Sequence, residues 1–206
     1  VASAAKGKRS ADQRTNAMSP QGQLYSMDKD GIQQAALLPT FASYIVNHHN
    51  IPAHVSLAYA GGYNRWIKEY TKINRQRLHP VGMISRHHPE KMVAQLEHLV
   101  ADGFTSIVLR PEIIGGRSLS HPDYATFWQA CCHHNIGIAF HGGTNLHGTT
   151  AGSERYQSRF ALHACSHPIE AQMAFLSLLD SGVLEQNPTL RIALLEAGAS
   201  WVPYWL

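Results

Sequence analysis

Two short apolar runs each end on a side chain that can bind a metal or move a proton, and then on glycine. They are Gly137-Ile138-Ala139-Phe140-His141-Gly142-Gly143 and Leu190-Arg191-Ile192-Ala193-Leu194-Leu195-Glu196-Ala197-Gly198. Runs too short for a helix and closed by glycine fit parallel strands that open into functional loops. An imidazole at a strand end is fixed by the backbone, and glycine behind it leaves room for substrate or water, so His141 suits metal ligation. A carboxylate ending an apolar strand needs a partner to offset its desolvation, and a metal or an arginine would supply one to Glu196. The plainer readings are a hydrogen-bonded core histidine at 141 and a structural salt bridge to a loop arginine at 196.

Other candidates surround this pair. Arg110 ends the run Ile107-Val108-Leu109, and Ser85 ends another. Arg110, with Arg117 after the Gly115-Gly116 turn, has the chemistry to clamp a substrate carboxylate through paired hydrogen bonds, although either also reads as a solvated loop residue. His163 and His167 stand four apart, a workable metal spacing on a helix. Pro168 is expected to start that helix, which places both histidines before it as supporting or capping residues, with His167 joining Glu196 in the catalytic set. His147, in the Gly- and Thr-rich loop 142–153, suits a lid. The pairs His48-His49, His87-His88 and His133-His134 read as surface or helix-end positions. Ser85 has no nucleophile-elbow glycines and the cysteines lie on or near helices, so nucleophilic triads have no scaffold.

The elements that must position these groups alternate. Residues 1–25 are polar and lack hydrophobic period, which predicts an arm or loop, and 26–206 reads as one domain. Within it, Gln33–Pro39 predicts a strand and 62–76 a helix with Trp66, Ile67, Tyr70 and Ile73 on one face. A strand at 81–84 follows, then a helix opened by Pro89 and stopped at Asp102-Gly103. After the strand at 107–110 comes a helix opened by Pro122, then the strand ending at His141. A helix from Pro168 faces Ile169, Met173, Leu176 and Leu179 inward and leads to the last strand, ending at Glu196. Five strands alternating with four helices predict an α/β fold with a parallel sheet, either doubly wound or a (β/α)₈ TIM-like barrel. With no GxGxxG or Walker loop, the barrel is favoured. In a barrel the strand C-terminal ends carry the chemistry, and these hold Arg110, His141 and Glu196.

Composition bounds the partners. The chain has 206 residues, 44% hydrophobic and 15% charged, with a formal charge of +3. Its basic residues are dispersed, which excludes nucleic acid and membrane surfaces as expected partners and leaves a small-molecule substrate. No run approaches a membrane helix or a signal peptide. Three cysteines, two of them adjacent, point to a reducing cytoplasm rather than a disulfide framework. The aromatic tail Trp201, Tyr204 and Trp205 points to a homo-oligomer.

The segments His167-Pro168, Ser181-Gly182-Val183-Leu184-Glu185-Gln186-Asn187-Pro188-Thr189-Leu190-Arg191-Ile192 and Glu196-Ala197-Gly198-Ala199-Ser200-Trp201-Val202-Pro203-Tyr204 resemble the amidohydrolase-2 branch of the metal-dependent amidohydrolase superfamily, which includes aminocarboxymuconate-semialdehyde decarboxylase-like enzymes. Met27-Asp28 with Gly31-Ile32, Leu38-Pro39-Thr40 and Phe140-His141-Gly142 fit the same pattern. The resemblance implies a distorted (β/α)₈ barrel whose divalent metal, often zinc, binds an HxH pair on strand one, a histidine on strand five and an aspartate on strand eight. His141 matches the strand-five ligand. Glu196 stands where many decarboxylase-type relatives carry histidine. No HxH precedes residue 27, and Leu206 comes before strands seven and eight, so an incomplete barrel and metal site are expected, as in a piece of a longer protein. The resulting expectation is a metal-dependent hydrolase acting on a small carboxylate or acyl substrate through a metal-activated water. In it, His141 and Glu196 are ligands, Glu196 and His167 are catalytic, and Arg110 and Arg117 bind substrate. A lyase on the same scaffold, hydratase or non-oxidative decarboxylase, and a metal-free binding protein are the alternatives.

Overall fold

The computed structural model describes residues 18–142 and 148–206. Helix α1 (Pro20–Lys29) begins inside the segment read as an arm; Ser19 caps it by accepting from the Gly22 amide at 3.0 Å, and Pro20 occupies the first turn. Then come β1 (Ala35–Leu37), α2 (Phe41–Val46) and α3 (Ala53–Thr71). Strands β2 (Leu78–Pro80) and β3 (Gly82–Met83) are two halves of one extended run broken at Val81. Helix α4 (Met92–Ala101), strand β4 (Ser106–Leu109), helix α5 (Ala125–His133) and strand β5 (Gly137–Phe140) follow, α4 and α5 each entered through a 3₁₀ turn opened by proline. Helices α6 (Arg159–Asp180) and α7 (Val183–Gln186), strand β6 (Arg191–Leu194) and α8 (Val202–Trp205) complete the order.

The described strands all pair in parallel and in chain order, and a lone antiparallel bridge joins Ile114 to Arg117 in the loop after β4. β1 lies on β2, and β3, β4, β5 and β6 form a four-stranded sheet, with the Val81 amide bonded to the Leu37 carbonyl where the two sheets meet. This is a partial TIM barrel. It does not close among the described residues, and along β6 the side chains alternate between exposed and half-buried instead of being covered on both faces. The core lies between sheet and helices, where Leu96, Leu99, Phe104, Ile107, Phe127, Trp128, Ile138 and Phe140 are all buried.

Two side-chain amides complete the backbone pairing where the ladder ends. Asn64 of α3 accepts from the Met83 amide and donates to the Met83 carbonyl, both at 2.8 Å; Gln95 of α4 does the same for Ser85, at 2.8 and 3.1 Å. Buried peptide groups without such partners would be costly. Ser85 itself is fully buried and 2.6 Å from the Ser56 hydroxyl, so it is structural.

Two helices differ from the sequence expectation. Helix α3 starts nine residues earlier than expected, and Trp66 and Ile73 are 55% and 47% exposed, because its buried stripe is Ser56, Ala60, Tyr63, Ile67 and Thr71. Helix α6 starts at Arg159 with Pro168 in its interior: Ser158 caps it by accepting from the Ala161 amide, and the proline removes one internal hydrogen bond without ending it. Its buried face carries Ser166, His167, Glu170, Ala171, Ala174 and Leu178, while Met173 is 54% exposed.

Helix α4 approaches β3 so closely that a Cβ on Gly82 would lie 2.7 Å from Leu99 Cδ1. Gly82→Ala is expected to destabilise the fold by about 1–3 kcal/mol through overpacking. Urea denaturation of Gly82→Ala, Leu99→Val and the double variant should show the double change recovering part of that loss; strict additivity would place the contact elsewhere.

Candidate metal centre

The β5–β6 register brings the two strand-end groups together. Phe140 pairs with Leu194, the Leu195 amide continues the ladder to the Phe140 carbonyl at 3.0 Å, and the His141 amide bonds the Leu109 carbonyl at 3.1 Å. His141 Nε2 thereby lies 3.5 Å from Glu196 Oε2. Helix α6 delivers the third group: because the helix extends back past Pro168, His167 sits on its buried face with Nε2 3.2 Å from the same carboxylate oxygen. His163, one turn earlier, stacks obliquely with its ring 5.3 Å from that of His167. The sequence reading placed both histidines before the helix; the structure places both on it, with His167 facing the site.

Ligand atoms of His141, His167 and Glu196 all lie within 4.8 Å of one another. The edge of a tetrahedron of ligands about 2.0–2.1 Å from a zinc ion is about 3.3 Å, close to the two measured separations. Among the described residues both buried ring nitrogens of His167 lack a hydrogen bond, since Nε2 meets Glu196 at ion-pair distance but not in bonding alignment. An orphaned buried imidazole nitrogen is rare, and a cation would satisfy it. Burial above all lowers the His167 pKa from 6.5, aided by the positive fields of His141, His163 and Arg110 and opposed by Glu196. The neutral imidazole so favoured is the form that ligates metal. Two imidazoles and a carboxylate leave coordination positions open, as hydrolytic metal sites require.

Glu196 departs from expectation in its surroundings. Its side chain is 70% exposed, so desolvation does not define it; its backbone does, with φ of 56°, a left-handed conformation uncommon for any residue but glycine.

Arg110 and Arg117 are placed differently from each other. Arg110 is buried, donates through Nε to Glu112 Oε1 at 2.9 Å, and lies against Gly142, where any Cβ would overlap its guanidinium. Arg117 turns away to Asp123 at 2.8 Å, and no described contact joins it to the histidine cluster. Holding the loop after β4 is Arg86, fully buried, which donates to the carbonyls of Arg110, Glu112 and Arg117 and packs over the Tyr124 ring. Arg86, Glu112 and the buried Glu170 were not anticipated; the opposite charges flanking Pro111 were the available signal for Glu112. His147 and the segment 143–147 lie outside the described residues. Burial pushes the Cys131 thiol up, away from the thiolate a nucleophile needs, and all three cysteines are free.

A family model described as amidohydrolase (Amidohydro_2) matches residues 6–205. The chain belongs to the amidohydrolase family. No curated protein matches it significantly in sequence. Among solved structures, this amidohydrolase chain is similar to an amidohydrolase of Mycobacterium avium subsp. paratuberculosis K-10, with TM-score 0.75 and 18% identity over 94% of this chain and 52% of that one. It is also similar to 5-carboxyvanillate decarboxylase LigW2 of Novosphingobium aromaticivorans, solved with bound manganese, with TM-score 0.75 and 19% identity over 98% and 56% of the two chains. Sphingomonas paucimobilis 5-carboxyvanillate decarboxylase LigW gives 0.70 and 15%, over 84% and 50%. The chain therefore spans about half the length of the solved structures it matches, and the likeness is one of fold.

The depressed pKa of His167 fixes the sign of a pH effect. The unfolded chain takes up this proton near 6.5 and the folded chain only at lower pH, so stability is full above 6.5 and falls as pH drops below it. Thermal denaturation from pH 8 to about 5 should show this decline, and His167→Phe should flatten it; an unchanged profile would place the titration elsewhere.

Proposed function

We propose that this chain carries a divalent-metal site of a hydrolase that cleaves a small carboxylate or acyl substrate with water. The observation supporting this most is the convergence of His141 Nε2, His167 Nε2 and Glu196 Oε2 at separations suited to a shared cation. A cation held there would supply Lewis-acid polarisation of a substrate oxygen and would lower the pKa of a neighbouring water. The two-histidine, one-carboxylate donor set suits zinc, and manganese competes for such a site.

The protein groups divide the remaining work. His141 is fixed by the backbone ladder and His167 by helix α6, so both imidazoles reach the site with little freedom to lose. Glu196, largely exposed, is open to solvent and serves as ligand or as general base toward water. Arg110 contributes a positive field at His167 and braces the Gly142 turn behind His141, which favours an anionic substrate group at the mouth. Arg117, engaged by Asp123, would have to break that ion pair to reach substrate. The proposed partners are a small-molecule substrate and further copies of this chain. For the latter, exposed Tyr204 is the relevant tail residue, since Trp201 donates to the Ala197 carbonyl at 2.8 Å and packs against Phe175. No described helix is long and apolar enough to cross a membrane.

A second reading, a lyase releasing CO₂, is favoured by the decarboxylases among the similar folds. Purified chain loaded with zinc or manganese and dialysed should retain about one ion per chain by elemental analysis. His141→Ala should weaken retention more than about 100-fold, and absence of metal in both would sink the proposal. Incubation of the loaded protein with candidate esters, amides and aryl acids separates hydrolysis from CO₂ release, the latter supporting the lyase.

A further inference from the structure

One turn beyond His167, helix α6 turns a different set of groups toward a cavity that the metal site does not use. The cavity, about 210 Å³, lies between the loop that follows β4, residues 149–150 and the middle of α6. Leu119 and Ala174, 1% and 3% exposed, form apolar walls, and Ile113 and Met173, each more than half exposed, stand where it meets solvent. Five of the ten lining residues are polar, Ser118, Thr149, Thr150, Glu170 and Ser177. Thr150, 95% buried, has a hydroxyl without a hydrogen-bond partner among the described residues, and so does Ser177. Glu170 uses Oε1 to accept from the Ala151 amide at 2.6 Å, and no bond to its other oxygen is made among the described residues.

We propose that this cavity is a binding site for a small neutral molecule with an apolar body and one hydroxyl head, received by Glu170, Thr150 and Ser177. The volume sets the size: an apolar cavity of about 150 Å³ takes up a benzene-sized molecule, so this one accommodates a six-membered ring with a substituent. The lining sets the head group. A ligand hydroxyl donates to the Glu170 carboxylate and accepts from a Thr150 or Ser177 hydroxyl, meeting the needs of both kinds of group at once. An anion would meet the Glu170 carboxylate unpaired. Burial above all, with Glu112 adding to it and Arg110 and the Ala151 amide opposing, raises the Glu170 carboxyl toward its neutral form, so a cation gains less there than beside an ionised carboxylate. Over the half of the wall formed by Pro111, Ile113, Leu119, Met173 and Ala174, water finds no polar side chain and an apolar ligand body is the better occupant.

The test uses the metal-free chain, so its outcome is independent of the metal proposal. Cyclohexanol is titrated by ligand-observed NMR, alongside cyclohexylamine and cyclohexanecarboxylate. Saturable binding is expected in the low millimolar range, about 1–10 mM for so small a ligand. Both charged analogues should bind about ten-fold more weakly. Ser177→Leu, which fills the cavity, should lose at least ten-fold. Thr150→Val, nearly isosteric and so secure against misfolding, should lose roughly three- to ten-fold. Equal affinity in both variants, charged analogues binding as tightly as the alcohol, or no saturation up to about 50 mM, which would mean solvent filling only, overturns the proposal.

Discussion

The parallel ladder of β4, β5 and β6 fixes everything the site does. It runs one residue past the strands, through the His141 amide to Leu109 and the Leu195 amide to Phe140, so the backbone is still in register where the side chains change from apolar to functional. Without those bonds, His141 and Glu196 would be two loop residues with independent conformations. With them, their separation is a property of strand spacing, and only the third group, His167, has to be delivered by a helix.

Under the site lies a layer of buried charge that serves shape. Arg86 spends its donors on three carbonyls of the loop after β4, and Arg110 is neutralised by Glu112 within that loop. A buried ion pair gives little net stability, yet losing one partner costs roughly 3–5 kcal/mol because the other charge is stranded. The pair therefore holds Arg110 in place against Gly142, and the arginine that brings positive potential to His167 is also the one that shapes the turn behind His141.

Much of this was legible in the residues. Strands β4, β5 and β6 are apolar runs bounded by glycine or proline, and their alternation with helices gave a parallel sheet in chain order. The pairing of His141 with Glu196 followed from placing both at neighbouring strand ends. What was hidden follows from packing. Pro168 looks like a helix start, and only tertiary burial of Ala171, Ala174 and Leu178 carries the helix through it, which is why the placement of His167 on a helix face could not be read. The inward face of α3 was misjudged because Trp66 is apolar but exposed, while Ser56 and Thr71 are polar but buried with backbone or hydroxyl partners. Arg86 and Glu170 give no local sign of burial, since the partners that cover them lie 19 or more residues away in the chain.

The left-handed backbone at Glu196 narrows what this position can become. For side chains other than glycine, asparagine and aspartate that region carries a penalty of order 1–3 kcal/mol. Among acidic residues, aspartate would relieve the strain but draw its carboxylate back by one methylene from two imidazoles already at contact distance. Reach and conformational ease are thus opposed at this one residue, and the chain has kept reach.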